Sequence, residues 1–135
     1  MEEKSRLVSI PFFSTVAASS NKTLVSKRIT SAFRTHRVWT SFAPGTNRLL
    51  KLYFFISYDN SAPFTEQPKG TNILQALGYT EYIVGEDEAK WFDLEVPQKT
   101  RGAYLKVYAV NEDTYGHTID AIVTIEIIEE EEEEV

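Results

Sequence analysis

The stretch at residues 48–59, R-L-L-K-L-Y-F-F-I-S-Y-D, constrains the fold more than any other part of the chain. It is the longest apolar run and is rich in residues that favour β-strands. One of its two faces is wholly hydrophobic and carries Leu50, Leu52, Phe54, Ile56 and Tyr58. The opposite face is mixed. This pattern is typical of a central strand whose sheet packs on one side and is partly covered on the other.

Every other segment with a clear pattern also reads as a strand. These segments are residues 7–13, 23–30, 33–42, 79–84, 91–96, 103–110 and 118–128. Residues 73–77 can form one helical turn, which Gly78 would end, but no segment has the apolar 3.6-residue period of a long helix. The chain is therefore predicted to be all-β, an antiparallel β-sandwich of jelly-roll type, with an immunoglobulin-like sandwich as the alternative. We expect the last two segments to pair as a β-hairpin.

Length and composition predict one domain. The 135 residues are enough to bury a substantial core, and the absence of cysteine excludes disulfides and thiolate metal sites. We expect residues 1–128 to form a single β-sandwich domain with an N-terminal arm at 1–6. Residues 129–135 are expected to be an acidic tail, either disordered or held by a basic surface. No apolar segment approaches a membrane span and no signal peptide is recognised, so we expect a soluble, cytoplasmic protein unless it is viral.

The charges are unevenly distributed along the chain. The glutamates at 129–134 account for the whole net charge of −6. Residues 1–60 carry nine Lys and Arg against three acidic residues, whereas residues 61–128 carry five against eleven. This segregation predicts surfaces of opposite sign that can meet on neighbouring copies of the chain, although a solvated surface without a partner is the alternative.

No motif in the sequence points to catalysis or to a cofactor. His36 and His117 lie in a predicted strand and in a turn, and no nucleotide-binding or zinc-protease pattern is present. The acidic turn at 86–88 is a weak candidate for calcium, but it lacks the spacing of a calcium loop and is more simply a solvated turn. We therefore predict no enzyme activity, no catalytic residues, no cofactor and no metal.

Two kinds of binding remain open. The aromatic residues form a candidate sugar-stacking platform if two or three of them are exposed and coplanar; they are Trp39, Tyr53, Trp91, Tyr104, Tyr108 and Tyr115. A basic group is a candidate for phosphate contacts or for docking acidic protein, and it comprises Lys22, Lys27, Arg28, Arg34, Arg37 and Arg48. The neutral balance of residues 1–128 argues against nucleic acid as the main partner.

Two segments carry a family resemblance. The pattern W-F-D-L-E-V-P at 91–97, a basic turn and R-G-A-Y-L-K-V-Y-A-V-N at 101–111 resembles tailed-phage capsid decoration (cement) proteins of jelly-roll type. The small-residue segment S-T-V-A-A-S-S-N-K-T-L-V-S at 14–26 is similar to the one that opens the first strands in such proteins. Together these features cover under a third of the chain.

The resemblance implies a non-enzymatic structural protein on the virion surface. Such proteins oligomerise, often as trimers, over the junctions between major capsid protein subunits and stabilise the shell. The corresponding expectation is a homo-oligomer, with a trimer favoured, that binds a major capsid protein; a carbohydrate-binding module is the alternative. We expect the interface to include Arg6, Leu7, Pro11, Arg28, Arg34, Arg37, Pro63, Phe64 and Pro68.

Overall fold

The alternating segments of the sequence become the strands of a sandwich. A computed structural model describes residues 3–99 and 101–130, and the side chains of residues 6–99 and 101–128. The strands are β1 (Glu3–Val16), β2 (Asn21–Val25), β3 (Ala32–Phe42), β4 (Leu50–Ser57), β5 (Thr71–Asn72), β6 (Glu88–Gln98), β7 (Tyr104–Asn111) and β8 (His117–Glu130). A 3₁₀ turn at Gln75–Leu77 ends at Gly78, whose φ of 79° is readily adopted by glycine, as expected.

The strand order identifies the architecture. The first sheet has the order β1-β8-β3-β6 and the second has the order β2-β7-β4-β5, with antiparallel pairing throughout the described ladders. Two four-stranded sheets in which successive strands mostly alternate between layers form a jelly roll. The immunoglobulin alternative is excluded, because that fold pairs its first two strands within one sheet.

The predicted C-terminal hairpin is wrong. β7 belongs to the second sheet, and β8 lies in the first sheet between β1 and β3. The connection crosses between the layers and is fixed by Asn111, whose side-chain amide donates to the Ala17 carbonyl at 3.1 Å and the Tyr115 carbonyl at 2.8 Å. Turn-forming residues between two strands allow either arrangement, and here the pairing partners in the first sheet decide it.

The core lies between the two sheets and includes the apolar face of β4. Leu50, Leu52, Phe54 and Ile56 are buried in one cluster with side chains from both sheets. The cluster also contains Leu94, Leu105, Val107, Val123 and Ile125, with Phe92 partly buried at its margin. Tyr58, expected on this face, lies beyond the end of β4 and is exposed.

One predicted strand is absent and another is shorter than the sequence pattern indicates. Residues 79–84 do not form a strand, and their contribution to the second sheet is a bridge between Ile83 and Leu52. In the segment predicted at 23–30, regular pairing ends at Val25, and Ile29 forms an isolated bridge to Ala103. Alternating composition alone does not supply a pairing partner over the whole length of such a segment.

A β-bulge interrupts the alternation of β3. Thr35 pairs with Ile125 of β8, and Arg37 pairs with the next residue, Thr124, so His36 is an extra residue in the ladder. A bulge of this kind shifts the side chains that follow it to the opposite face. Trp39 therefore does not share the inward face of Phe33, as regular alternation would require. The inward face after the bulge consists of Val38, Thr40 and Phe42.

A buried threonine hydroxyl lies directly before the bulge. Thr35 is fully buried, and its Oγ1 has no hydrogen-bond partner among the described atoms. Thr40, on the same strand and equally buried, donates its hydroxyl to the Asp120 carbonyl at 3.0 Å. An unpaired buried polar group costs free energy that an apolar group of the same shape does not.

This pair of threonines gives a matched stability test. Thr35→Val should raise the free energy of unfolding by about 1 kcal/mol, whereas Thr40→Val should lower it by about 1 kcal/mol because it removes a made hydrogen bond. Chemical denaturation of both variants and the parent protein measures the difference. A destabilised Thr35→Val variant would show that the Thr35 hydroxyl has a stabilising partner.

Candidate interaction surface

The outer face of the second sheet is covered by the chain itself. The connection at 58–70 crosses this face and is held there by Lys106 and Thr23. The Thr23 hydroxyl donates to the Pro63 carbonyl. Lys106, whose side chain is 0% exposed, donates from Nζ to the Ser61 carbonyl at 2.7 Å and to Asp59 Oδ1 at 2.5 Å. The connection is thus part of the folded body rather than a free docking loop.

Aromatic side chains pack beneath and beside this connection. The ring centroid of Tyr53 lies 5.3 Å from that of Tyr82 and 5.7 Å from that of Tyr108. Burial raises the pKa of the Tyr53 hydroxyl above its ordinary value. Tyr53 and Tyr108 are buried, so they do not form an exposed platform for a sugar.

The three residues predicted to form an interface in this connection have different environments. Phe64 is 68% exposed, Pro63 is half-buried, and Pro68 is buried. All three lie on the side of the second sheet. The structure therefore separates them from the predicted interface residues on β1 and β3 of the first sheet.

The contact between Lys106 and Asp59 should make stability depend on pH. The hydrogen bond from Lys106, with bonds from Ser61, holds the pKa of the Asp59 carboxyl well below its usual range. Because the folded-state pKa is lowered, the stabilisation is fully present above the ordinary aspartate pKa. It is lost as the pH falls through the folded-state value.

Asp59→Asn should therefore lower the unfolding free energy at neutral pH, with a difference from the parent that shrinks on acidification. Urea denaturation across an acid-to-neutral pH series measures this difference. Asp87→Asn, at an exposed turn position, is the control and should track the parent at every pH. A difference for Asp59→Asn that stays constant into acid would contradict the assignment.

The outer face of the first sheet carries a transverse apolar band. The register places Pro11 of β1 opposite Ile122 of β8, Ile122 opposite Trp39 of β3, and Trp39 opposite Trp91 of β6. Phe13 lies on the same face of β1, two residues beyond Pro11. Phe13 is 74% exposed and Trp91 is 57% exposed. We call Phe13, Pro11, Ile122, Trp39 and Trp91 the apolar band.

Ion pairs border the apolar band on one side. Arg37 Nε lies 2.7 Å from Asp93 Oδ1, and this hydrogen bond lowers the pKa of the Asp93 carboxyl. Farther along β3, Arg34 contacts Glu126 at 2.7 Å and Glu95 at 3.3 Å. An apolar centre with a charged rim is the usual composition of a protein interaction surface.

The structure groups the predicted interface residues only in part. Leu7 and Pro11 of β1 share the outer face of the first sheet with Arg34 and Arg37 of β3. Arg6 and Arg28 instead line a cleft between β1 and the connection from β2 to β3.

Sequence reasoning missed most of the apolar band. Alternation in β6 predicts an outward Trp91, and the structure places it there. In β3, regular alternation predicts Trp39 on the same face as Phe33, because a bulge leaves no mark in the sequence pattern. Ile122 and Phe13 carry no signal that separates an outward apolar residue from a core residue.

Polar clusters elsewhere have structural partners. His117 Nε2 lies 2.8 Å from Asp113 Oδ2 near the crossover connection, and this hydrogen bond lowers the pKa of the Asp113 carboxyl. In the acidic turn, the Glu86 carboxylate accepts hydrogen bonds from the backbone amides of Asn47 at 2.8 Å and Gly45 at 3.0 Å, which lower its pKa. Among the described residues, no group of three or more His, Asp or Glu side chains is arranged to hold a metal ion.

Helical membrane spans are also missing from the part of the chain that the structure describes. None of its helices has the length and apolar character needed to cross a bilayer.

Comparisons with known proteins give shape similarities at low sequence identity. No protein-family model and no curated protein matches the sequence. A structure of Bacillus endospore appendages, which form disulfide-linked pili, has a TM-score of 0.48 and 11% identity, covering 94% of this chain and 90% of that one. The VP2 subviral particle of infectious bursal disease virus has a TM-score of 0.43 and 11% identity over 93% of this chain and 33% of that one. The cyanophage Pam1 capsid has a TM-score of 0.36 and 12% identity over 93% and 84%.

These solved structures include pilus and viral capsid proteins. At these levels of identity and superposition, no function is transferred from any of them to this chain.

Proposed function

We propose that this chain is a non-enzymatic structural protein that binds the outside of a viral shell as an oligomer. The observation that carries the proposal is the difference between the two outer faces of the sandwich. The second sheet is covered by the connection at 58–70, whereas the first sheet exposes the apolar band. A surface that contains two large, exposed aromatic residues is suited to burial against another protein.

The rigidity of the first sheet supports this role. β8 is hydrogen-bonded between β1 and β3, and β6 extends the sheet on the far side of β3. The apolar band therefore crosses four strands whose relative positions are fixed by backbone ladders. Such a surface binds with little loss of conformational entropy, because its side chains stand on a preorganised sheet rather than on loops.

The viral setting comes from the sequence resemblance at 91–111 and 14–26. In the structure the first of these segments contributes Trp91 to the apolar band, and it also provides Asp93, which pairs with Arg37 at the rim. The second segment provides the end of β1 and all of β2. The resemblance therefore includes one of the residues that the proposal places at the shell.

The apolar band should contribute most of the binding to a shell. Trp91→Ser and Phe13→Ser should each cost about 2 kcal/mol or more of binding free energy, because each removes an exposed aromatic anchor. Co-sedimentation with shells assembled from the major capsid protein of the same genome measures binding. Tyr115→Ser removes an equally exposed aromatic ring from the crossover connection and should leave binding unchanged.

Unchanged shell binding by both Trp91→Ser and Phe13→Ser would contradict the proposal, provided that their circular dichroism and melting behaviour match those of the parent protein. The proposal would also be refuted if the parent protein itself did not bind the shells.

A carbohydrate-binding module is the second candidate, and one observation favours it. Trp39 and Trp91 are direct neighbours across β3 and β6 on an exposed face, next to the polar pair Arg37 and Asp93. Adjacent indole rings with polar groups beside them can stack on and orient a sugar. In this case Trp91→Ser should abolish glycan-array binding, while Phe13→Ser, on the opposite edge of the sheet, should not affect it.

A further inference from the structure

The connections at the two ends of the sandwich carry opposite charge. We call the end at which β8 finishes the basic end; the register places the start of β3 and the end of β6 there as well. The connections 26–31 and 99–103 at this end contain only cationic charged residues, namely Lys27, Arg28, Lys99 and Arg101. The connections at the other end, 43–49, 85–87 and 112–116, contain Arg48 against Glu86, Asp87, Glu112 and Asp113.

The four cations of the basic end are available for a partner. Lys27, Arg28, Lys99 and Arg101 are exposed, and none of them forms an ion pair with another described side chain. Cations elsewhere in the sandwich are mostly used internally, as Arg34 and Arg37 are on the first sheet. The connection at 58–70 also starts at the basic end, but its Asp59 is paired with Lys106.

The same cations border two clefts with apolar walls. Lys27 and Arg28 line a cleft of about 500 Å³ between β1 and the connection that follows β2, together with Ile10 and Ile127. Lys99 and Arg101 line a second cleft of about 440 Å³. Its other walls include Phe33, Pro97 and Ile128. Cationic groups beside apolar clefts can hold an acidic segment by charge and by contact with its methylene groups.

The acidic run of the chain begins at this same end. β8 carries the backbone to Glu130, and the run occupies residues 129–134. Residues 131–135 lie outside the described part of the chain. We propose that the acidic run of one copy binds the basic end of a neighbouring copy, between the two clefts.

The direction of β8 selects a neighbouring copy as the partner. β8 is still paired with β1 at Glu130, where Glu3 lies opposite, so the chain leaves along the strand direction. Five further residues span at most about 18 Å when extended, and adjacent like charges favour extension. Ile128 lines the second cleft, so the run starts beside Lys99 and Arg101 of its own copy. To bind between both clefts of that copy it would have to turn back across this end against that repulsion, whereas a copy facing this end requires no turn.

Binding of each acidic run to the neighbouring copy also explains how two basic ends can approach each other. Without the acidic run, four unpaired cations on each copy would repel, whereas the six glutamates of the partner more than offset them. A reciprocal exchange produces a closed, two-fold symmetric pair, and the same contact passed around a ring produces a trimer. The inference rests on the oligomeric part of the proposed function and does not involve the apolar band.

Two variants test the contact, and each replaces four charged side chains by neutral ones; we call them the charge-neutral variants. One replaces Glu131, Glu132, Glu133 and Glu134 by Gln, and the other replaces Lys27, Arg28, Lys99 and Arg101 by Gln. In native mass spectrometry and sedimentation at low salt, the parent should associate and each variant alone should require at least about tenfold more protein to do so. Mixing the two variants should restore association, because one supplies the acidic run and the other supplies the basic end.

Salt and a matched charge control complete the experiment. Association of the parent should weaken as ionic strength rises from about 50 mM to about 500 mM, since screening shortens the range of charge interactions. A double variant, Lys22→Gln with Arg48→Gln, removes two cations from the opposite half of the molecule and should associate like the parent.

Three outcomes would overturn the inference. The first is a parent protein that is monomeric at low salt, and the second is association of either charge-neutral variant at the same concentration as the parent. The third is a mixture of the two variants that stays monomeric, which would assign the acidic run to its own copy. Shell binding is read separately through Trp91→Ser and Phe13→Ser. Loss of shell binding with association intact, or the reverse, therefore shows which of the two ideas has failed.

Discussion

The position of β8 between β1 and β3 is the constraint on which the rest of the structure depends. This strand of 14 residues joins the first and last parts of the described chain in one sheet, and its alternate side chains supply a large part of the core from that layer. Among the described strands, only β4 and β5 are neighbours both along the chain and within a sheet. Nearly all pairing is therefore between distant segments, so the chain must close long loops before the ladders stabilise it.

The bulge at His36 is a local departure from regular pairing that changes which side chains of β3 face outward. It turns Trp39 outward beside Trp91 and completes the apolar band, while Val38 and Phe42 enter the core. The unpaired Thr35 hydroxyl lies directly before this irregularity. β-bulges re-aim side chains, and here the cost in hydrogen bonding accompanies an outward-facing pair in which Trp91 is exposed and Trp39 is half-buried.

The two sheets and the two ends of the sandwich divide the surface into regions with different physical properties. The second sheet is covered through the buried Lys106, which ties the connection at 58–70 to β7. The first sheet remains open and apolar at its centre. The ends differ in charge rather than in hydrophobicity. Burial against a shell and charge exchange between copies would use separate surfaces, so one molecule can make both contacts at once.

The sequence by itself determined the all-β class, most strand positions and the apolar face of β4, because a two-residue period reports directly which residues face a core. It predicted a jelly roll but left an immunoglobulin-like sandwich open, and the strand order decided between them. The sequence also showed that the two halves of the chain differ in charge. Only the tertiary structure decided that β7 and β8 belong to different sheets, that Pro68 is buried and that Trp39 faces outward. Pairing partners, a one-residue bulge and a loop held by a buried lysine depend on contacts between distant residues, and no local pattern records such contacts.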